Sequence, residues 1–130
     1  MRIEDDRYCF VCGTHNDIGL HADITTGQDN TAYAKLVIPK NFQGWQDIVH
    51  GGIISTLLDE VSIYACRNIS QKGVTAEITV KFKKPVPTET EIELRSKVVE
   101  IKRRLLLVEA ELLVGGIVHA SAETKIFNLE

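Results

Sequence analysis

One hundred and thirty residues, 44% of them hydrophobic, are enough for one domain with a buried core. Fifteen Lys and Arg against 18 Asp and Glu leave a formal net charge of −3, which argues against broad nucleic-acid binding, where a basic surplus gathered on one face is the usual footprint. No apolar run approaches the roughly 18–20 residues that span a bilayer. The opening MRIEDDRYCF is too acidic and polar for a secretory signal, and three cysteines read as reduced thiols rather than a disulfide framework. The expectation is a cytoplasmic chain with neither a membrane nor a nucleic-acid partner.

No repeat, low-complexity tract or linker interrupts the sequence, so residues 1–130 read as a single domain with an irregular N-terminal segment over 1–17. Ile18 to Ile24 alternates apolar and polar residues, as a half-buried strand does. Asp29-Asn30 marks a turn, and Thr31 to Ile38 alternates again until Pro39. Residues 40–49 read as a loop. From Gly51 to Asn68 the period becomes helical: Ile54, Leu57, Leu58, Val61 and Ala65 form one stripe, while Ile53, Ile63 and Tyr64 lie well off it. A helix apolar almost all round is buried on most sides. Strands are then predicted at Val74–Phe82, Ile92–Ile101, Arg104–Val114 and Ile117–Phe127, with a hairpin turn at Gly115-Gly116. The fold class is α+β: an antiparallel sheet of five to six strands wrapped around one long helix. One such sheet covers only one side of the helix, so the other side is expected to meet a second subunit.

His50-Gly51-Gly52…Asp59 carries the chemistry. Two glycines at a helix start allow close approach of a backbone or ligand, and unpaired N–H groups there suit an oxyanion. Asp59 lies inside the helix with Ser55, Thr56 and Ser62 three or four positions away. An acid in so apolar a helix is either a nucleophile or general base, or a charge at a solvated edge. Glu60 is the competing acid and reads as structural.

The run from His50 to Asp59, together with the strand Thr75–Phe82 and Pro85 downstream, resembles the signature of the phenylacetate-type acyl-CoA thioesterases of the hotdog superfamily. The resemblance implies a hotdog fold, hydrolysis of an acyl or aryl thioester of coenzyme A without a cofactor, and self-association as a homodimer or dimer of dimers. It implies that the Gly51 N–H polarises the thioester carbonyl, with Gly52 beside it. Asp59 would attack the carbonyl or activate a water, Thr75 would hold the water or the carboxylate, and His50 would orient the loop or the thioester, or else simply cap the helix. Relatives often carry Asn or Gln six residues before the histidine; here Gly44 stands there, with Asn41, Gln43 and Gln46 nearby. Gly51 and Asp59 are eight residues apart, about 12 Å along a helix. They cannot both reach one carbonyl carbon from the same helix, so a shared site pairs Gly51 of one subunit with Asp59 of another.

Lys83-Lys84 and Lys102-Arg103-Arg104 are basic clusters at strand ends. Lys83, Lys84, Arg103 and Arg104 are candidate contacts for the phosphates of coenzyme A, against the reading of an ordinary charged surface. Cys9-Phe10-Val11-Cys12-Gly13, with His15 and His21 after it, has half the look of a zinc knuckle, but a metal site needs four ligands of suitable spacing and the sequence shows one Cys pair, so no metal is expected. With Asn16 and Gly19-Leu20, the segment resembles the N-terminal segment of some members of the same thioesterase family, which implies a structural lid. Cys66 is expected in the core and His119 as a satisfied strand residue; Trp45 and Tyr64 either narrow a pocket for aryl groups or pack in the core, and packing is the expectation. Two other functions fit less well: a non-catalytic acyl-CoA-binding protein, and a thioester hydratase or dehydratase. Asn41-Phe42-Gln43-Gly44 resembles a dehydratase segment whose first position needs a histidine base, and Asn41 cannot take a proton from carbon.

Overall fold

The computed structural model describes residues 2–130. Its elements are β1 (Thr25–Gly27), β2 (Thr31–Val37), a 3-10 turn (Lys40–Phe42), α1 (Gly51–Ala65), β3 (Gly73–Phe82), β4 (Glu91–Lys102), β5 (Leu105–Val114) and β6 (Ile117–Asn128). The six strands form one antiparallel sheet in the order β1-β2-β4-β5-β6-β3, and α1 lies against its inner face.

The core is the contact between the helical stripe and the inward residues of the strands. Ile54, Leu57, Leu58, Val61 and Ala65 are all buried, as are Leu94, Val108, Leu112 and Ile126 facing them. The register sets Ala32 beside Ser96, Ser96 beside Ala110 and Ala110 beside Ala122, a row of small side chains across four strands. Small residues in a row let the helix backbone approach the sheet closely. Ser96 uses that proximity: its Oγ donates to the Val61 carbonyl at 2.6 Å. Ser62, also buried, bonds to the Leu58 carbonyl at 2.7 Å and shares a hydrogen bond with Thr124 at 3.1 Å, so neither hydroxyl is left unsatisfied.

Three expectations need correction. The segment Ile18–Ile24 is extended but joins no strand ladder; its N–H groups at Leu20 and Ala22 donate to the carbonyls of Phe10 and Val11, and the sheet begins only at Thr25. The helix stops at Ala65 rather than Asn68, because Cys66 and Arg67 bond to carbonyls three residues back and tighten the last turn. Trp45 is not packed: it is 83% exposed at the tip of a loop that closes when Gly44 N–H donates to Ile48 O.

The far side of α1 is only partly covered. The N-terminal segment lies over its C-terminal half, where Cys9 Sγ meets Glu60, whereas Gly52 is exposed and Ser55, Thr56 and Asp59 remain half-open. β3 is an edge strand of ten residues that pairs only with β6. Its pairing has one irregularity: Thr75 lies opposite Ile126 and Glu77 opposite Lys125, which leaves Ala76 as a bulge. The bulge shifts the alternation by one. Thr75 therefore shares the inner face with Ile78 and Val80 instead of pointing outward with Thr79 and Lys81.

Candidate active site

His50 is the N-cap of α1. Its backbone is extended (φ −58°, ψ 136°), and Nδ1 accepts the Gly52 N–H at 2.9 Å. When the ring is neutral, that acceptor role puts its proton on Nε2. The cap explains the second glycine: a Cβ on Gly52 would stand 3.1 Å from Nδ1, tighter than an ordinary contact. It also occupies the Gly52 N–H, leaving that residue only its bare Cα to offer a ligand. Gly51 differs. Its N–H meets no acceptor among the described residues, at the positive end of a 15-residue helix. Such a donor suits a developing oxyanion.

Gly44, six residues before His50, is folded back onto it. A Cβ there would lie 3.3 Å from the His50 Cα and 3.4 Å from Cδ2. Gln43 is used within the loop, where its Oε1 accepts the Asp47 N–H at 3.0 Å.

Asp59 is half-buried on the open flank of α1. The three hydroxyls closest to it in the helix do not serve it. Ser55 and Thr56 donate to the carbonyls of Gly51 and Gly52, and Ser62 to that of Leu58. Its partner comes from the sheet instead: Thr75 Oγ1 donates to Asp59 Oδ1 at 2.5 Å. Oδ2 has no partner among the described residues and is left for a water or a substrate. Glu60, the next residue, turns toward the N-terminal segment, where Cys9 Sγ lies 2.9 Å from Oε2. Burial raises its pKa, and the neighbouring Asp59 charge adds to the shift.

The two ends of the segment therefore sit at opposite ends of β3. Thr75, near one end, touches Asp59. Phe82, at the other, lies beside the helix start, its ring atoms 3.5 Å and 3.6 Å from where a Gly51 Cβ would be. Within one chain the Gly51 donor and the Asp59 acceptor are not brought together. A groove of about 730 Å³ lies on the outer face of the sheet between Tyr33, Lys81, Arg95 and Glu111; neither Asp59 nor Gly51 lines it.

Lys83 and Lys84 directly follow Phe82 and are exposed; their N–H groups donate to the His119 carbonyl. His119 is a satisfied strand residue, its Nδ1 2.9 Å from Pro85 O. Arg103 and Arg104 are exposed in the β4–β5 turn. None of these four cations makes an ion pair among the described residues. All three cysteines are free, and Cys66 is buried in the core.

Comparison with known proteins follows the same residues. The model of the thioesterase superfamily matches residues 46–119, more than half of the chain. Component 3 of the MIOREX complex of Saccharomyces cerevisiae is 39% identical over 66 residues, which are 49% of this chain and 24% of that protein. The mouse acyl-coenzyme A thioesterase THEM4 is 32% identical over 68 residues, 52% of this chain and 29% of that protein. The match thus spans less than a third of either relative. Among solved structures, a thioesterase superfamily protein superposes with a TM-score of 0.87 at 23% identity, over 94% of this chain and 61% of that one. The PaaI protein from the phenylacetic acid degradation operon of E. coli gives 0.79 at 18% identity, over 85% and 81%. A hypothetical thioesterase of Streptococcus pneumoniae, solved with coenzyme A, gives 0.75 at 17% identity, over 82% and 84%. The wrapped helix, the six-stranded antiparallel sheet and the match across the helix and its flanking strands together make this chain a member of the thioesterase superfamily with the hotdog fold.

Proposed function

We propose that the chain hydrolyses acyl-CoA thioesters at a site completed by two copies joined along their β3 edges. The observation that carries this reading is the placement of the two half-sites at the two ends of one unpaired edge strand. A ten-residue edge with free N–H and C=O groups is a template for pairing. If two copies pair antiparallel about a two-fold axis near Ile78 and Thr79, Thr75 of one comes about opposite Phe82 of the other. Asp59 then approaches the partner's Gly51, and the distance that separates them in one helix no longer matters. The open flank of α1 around Gly52, Thr56 and Asp59 is covered by the same association.

In such a site the partner's Gly51 N–H donates to the thioester oxygen, assisted by the positive helix end, and stabilises the charge that develops there. Thr75 holds Asp59 by Oδ1, leaving Oδ2 to take a proton from water or to attack the carbonyl itself. With water as nucleophile, a C–O bond forms and the C–S bond breaks. The proton gathered by Asp59 passes to the departing sulfur, giving a free acid and the thiol of coenzyme A. Lys83, Lys84, Arg103 and Arg104, none of which pairs with an acid among the described residues, are the candidates for the phosphates. The free thiols fit a reducing compartment such as the cytoplasm.

Release of free thiol from a panel of acyl-CoAs, phenylacetyl- and benzoyl-CoA included, tests the proposal. The wild-type chain should release thiol, and Asp59→Asn should lower kcat by orders of magnitude while folding and coenzyme A binding persist. Binding without turnover in the wild type would make the protein a silent acyl-CoA binder, and unchanged hydrolysis by Asp59→Asn would remove the carboxylate from the mechanism.

A further inference from the structure

The N-terminal segment brings together a second set of chemically active side chains that thioester hydrolysis does not use. Cys9 Sγ, Cys12 Sγ and a carboxylate oxygen of Glu60 all lie within 4.8 Å of one another. The pair belongs to a tight knuckle: Gly13 N–H donates to Cys9 O at 2.8 Å, and His15 N–H donates to Arg7 O at 3.0 Å. The chain crosses itself so closely there that a Cβ on Gly13 would stand 2.5 Å from Arg7 O, Cys9 N and Cys9 O, so only glycine fits. Both cysteines and Glu60 are half-buried, and Tyr64 adds a hydroxyl beside Cys12.

The electrostatics of this cluster are one-sided. Cys9, Cys12, Glu60, Tyr64 and Asp59 can each carry negative charge, and the one cation against them among the described residues, Arg67, is stacked 4.2 Å over the Tyr64 ring. A divalent cation held among these donors would balance their charge.

We propose that Cys9, Cys12 and Glu60 form a binding site for a zinc-class divalent cation that fastens the N-terminal segment to α1 beside Asp59. Two thiolates and a carboxylate are donors that such an ion accepts, at about 2.3 Å for sulfur and about 2.0–2.2 Å for oxygen, with a fourth tetrahedral position left to water. Ligand atoms around such an ion lie about 3.5–3.8 Å apart, so the Cys9–Glu60 pair, now 2.9 Å apart, has to open slightly and the remaining pairs to close by about an ångström at most. The sequence offers only the Cys pair; the third donor comes from 51 residues further along the chain, and folding alone brings it in. The consequence is a clamp. The residue next to Asp59 becomes a ligand, and the otherwise irregular segment before Thr25 gains a fixed anchor on the helix.

The test uses the full chain, purified reduced and without a metal-binding tag. Native mass spectrometry and elemental analysis should find one zinc per chain, and replacing it with Co(II) should give a thiolate-to-cobalt charge-transfer band in the near ultraviolet. Glu60→Gln should weaken zinc binding by at least about tenfold, and Cys9→Ser and Cys12→Ser should abolish the cobalt band. Zinc titration of the chelator-stripped wild type makes the result independent of how the variants fold. A reduced wild-type chain that takes up no zinc at micromolar concentration overturns the proposal. So does a Cys9–Cys12 disulfide whose reduction leaves the chain unable to bind, or cobalt bound without the thiolate band.

Discussion

Thr75 and Asp59 meet because Ala76, between Thr75 and Glu77, is left out of the pairing with β6. Strict alternation through Ala76 would have turned Thr75 to the outer face; the bulge keeps it on the inner face, where its hydroxyl lies 2.5 Å from the carboxylate. Bulges of this kind re-aim side chains next to functional sites.

The Thr75 hydroxyl should matter to turnover through Asp59. Thr75→Val should lower kcat by roughly 10- to 100-fold, the worth of a hydrogen bond to a charged group. Thr75→Ser should retain most activity. Deletion of Ala76 should leave the pair in place, because it joins Thr75 directly to Glu77 and keeps Thr75 on the face of Ile78. Steady-state thiol release on the three variants checks this; a Thr75→Val variant that folds and keeps full activity would show that Thr75 does nothing for Asp59.

The Gly51 donor can be deleted without disturbing the helix. Gly51→Pro replaces the N–H at the first helical position by a ring carbon, where proline is well tolerated; its Cβ would meet the Phe82 ring at an ordinary 3.5 Å, and His50 before it already has the extended backbone that proline requires. The variant should unfold no more easily than the wild type and lose about 100- to 1,000-fold in kcat.

Mixing subunits then tests the shared site. Gly51→Pro and Asp59→Asn homodimers should both be inactive, but a heterodimer of the two contains one intact site. Co-refolding equal amounts should recover about a quarter of wild-type activity, since half the dimers are mixed and each has one good site of two. No recovery despite verified heterodimers would place both residues in the same subunit's site.

His50 should act chiefly as a cap. His50→Ala should cost about 1 kcal/mol in urea denaturation, and His50→Asn, which can also accept the Gly52 N–H, should restore most of that. With the cap restored, His50→Asn should stay within about tenfold of wild-type kcat; a far larger loss would assign the ring to the thioester itself.

Burial raises the Cys66 thiol to about 11. Its folded pKa lies above the unfolded one, so the stability it contributes is complete below about pH 8.5–9 and is lost as pH rises toward 11. The chain should lose up to about 3 kcal/mol between these limits on this account, and Cys66→Ala should lose less over the same range. At pH 8 an alkylating reagent should reach Cys66 only through unfolding. Denaturation midpoints across pH 7–11 and labelling followed by mass spectrometry measure the two effects.

What the sequence made legible follows its periodicities. The helical stripe of Ile54, Leu57, Leu58, Val61 and Ala65 and the alternating later strands are burial patterns written directly in residue order, and all appear in the structure. The extended Ile18–Ile24 segment alternates just as well but bonds to Phe10 and Val11, because alternation records which side is buried and not which strand lies alongside. The side chains at the candidate site were nameable from the resemblance. Their arrangement was not, since it depends on a bulge at Ala76 that leaves no mark in a strand reading as regular from Val74 to Phe82. Trp45 misled for a related reason: a large apolar residue says nothing of the loop closure that lifts it into solvent.

The strand order has a consequence for how the protein is made. β3 follows the helix in the chain but docks beside β6, which is synthesised after the other five strands of the sheet. A chain emerging from the ribosome therefore exposes α1, and the strand that positions Thr75 against it, until residues 117–128 have appeared. The pairing on which Asp59 depends waits until then, and such long-range closure is slow and vulnerable to aggregation. Assembly along β3 can come only after that, so a truncation that spares every candidate site residue but removes β6 should leave neither a dimer nor a site.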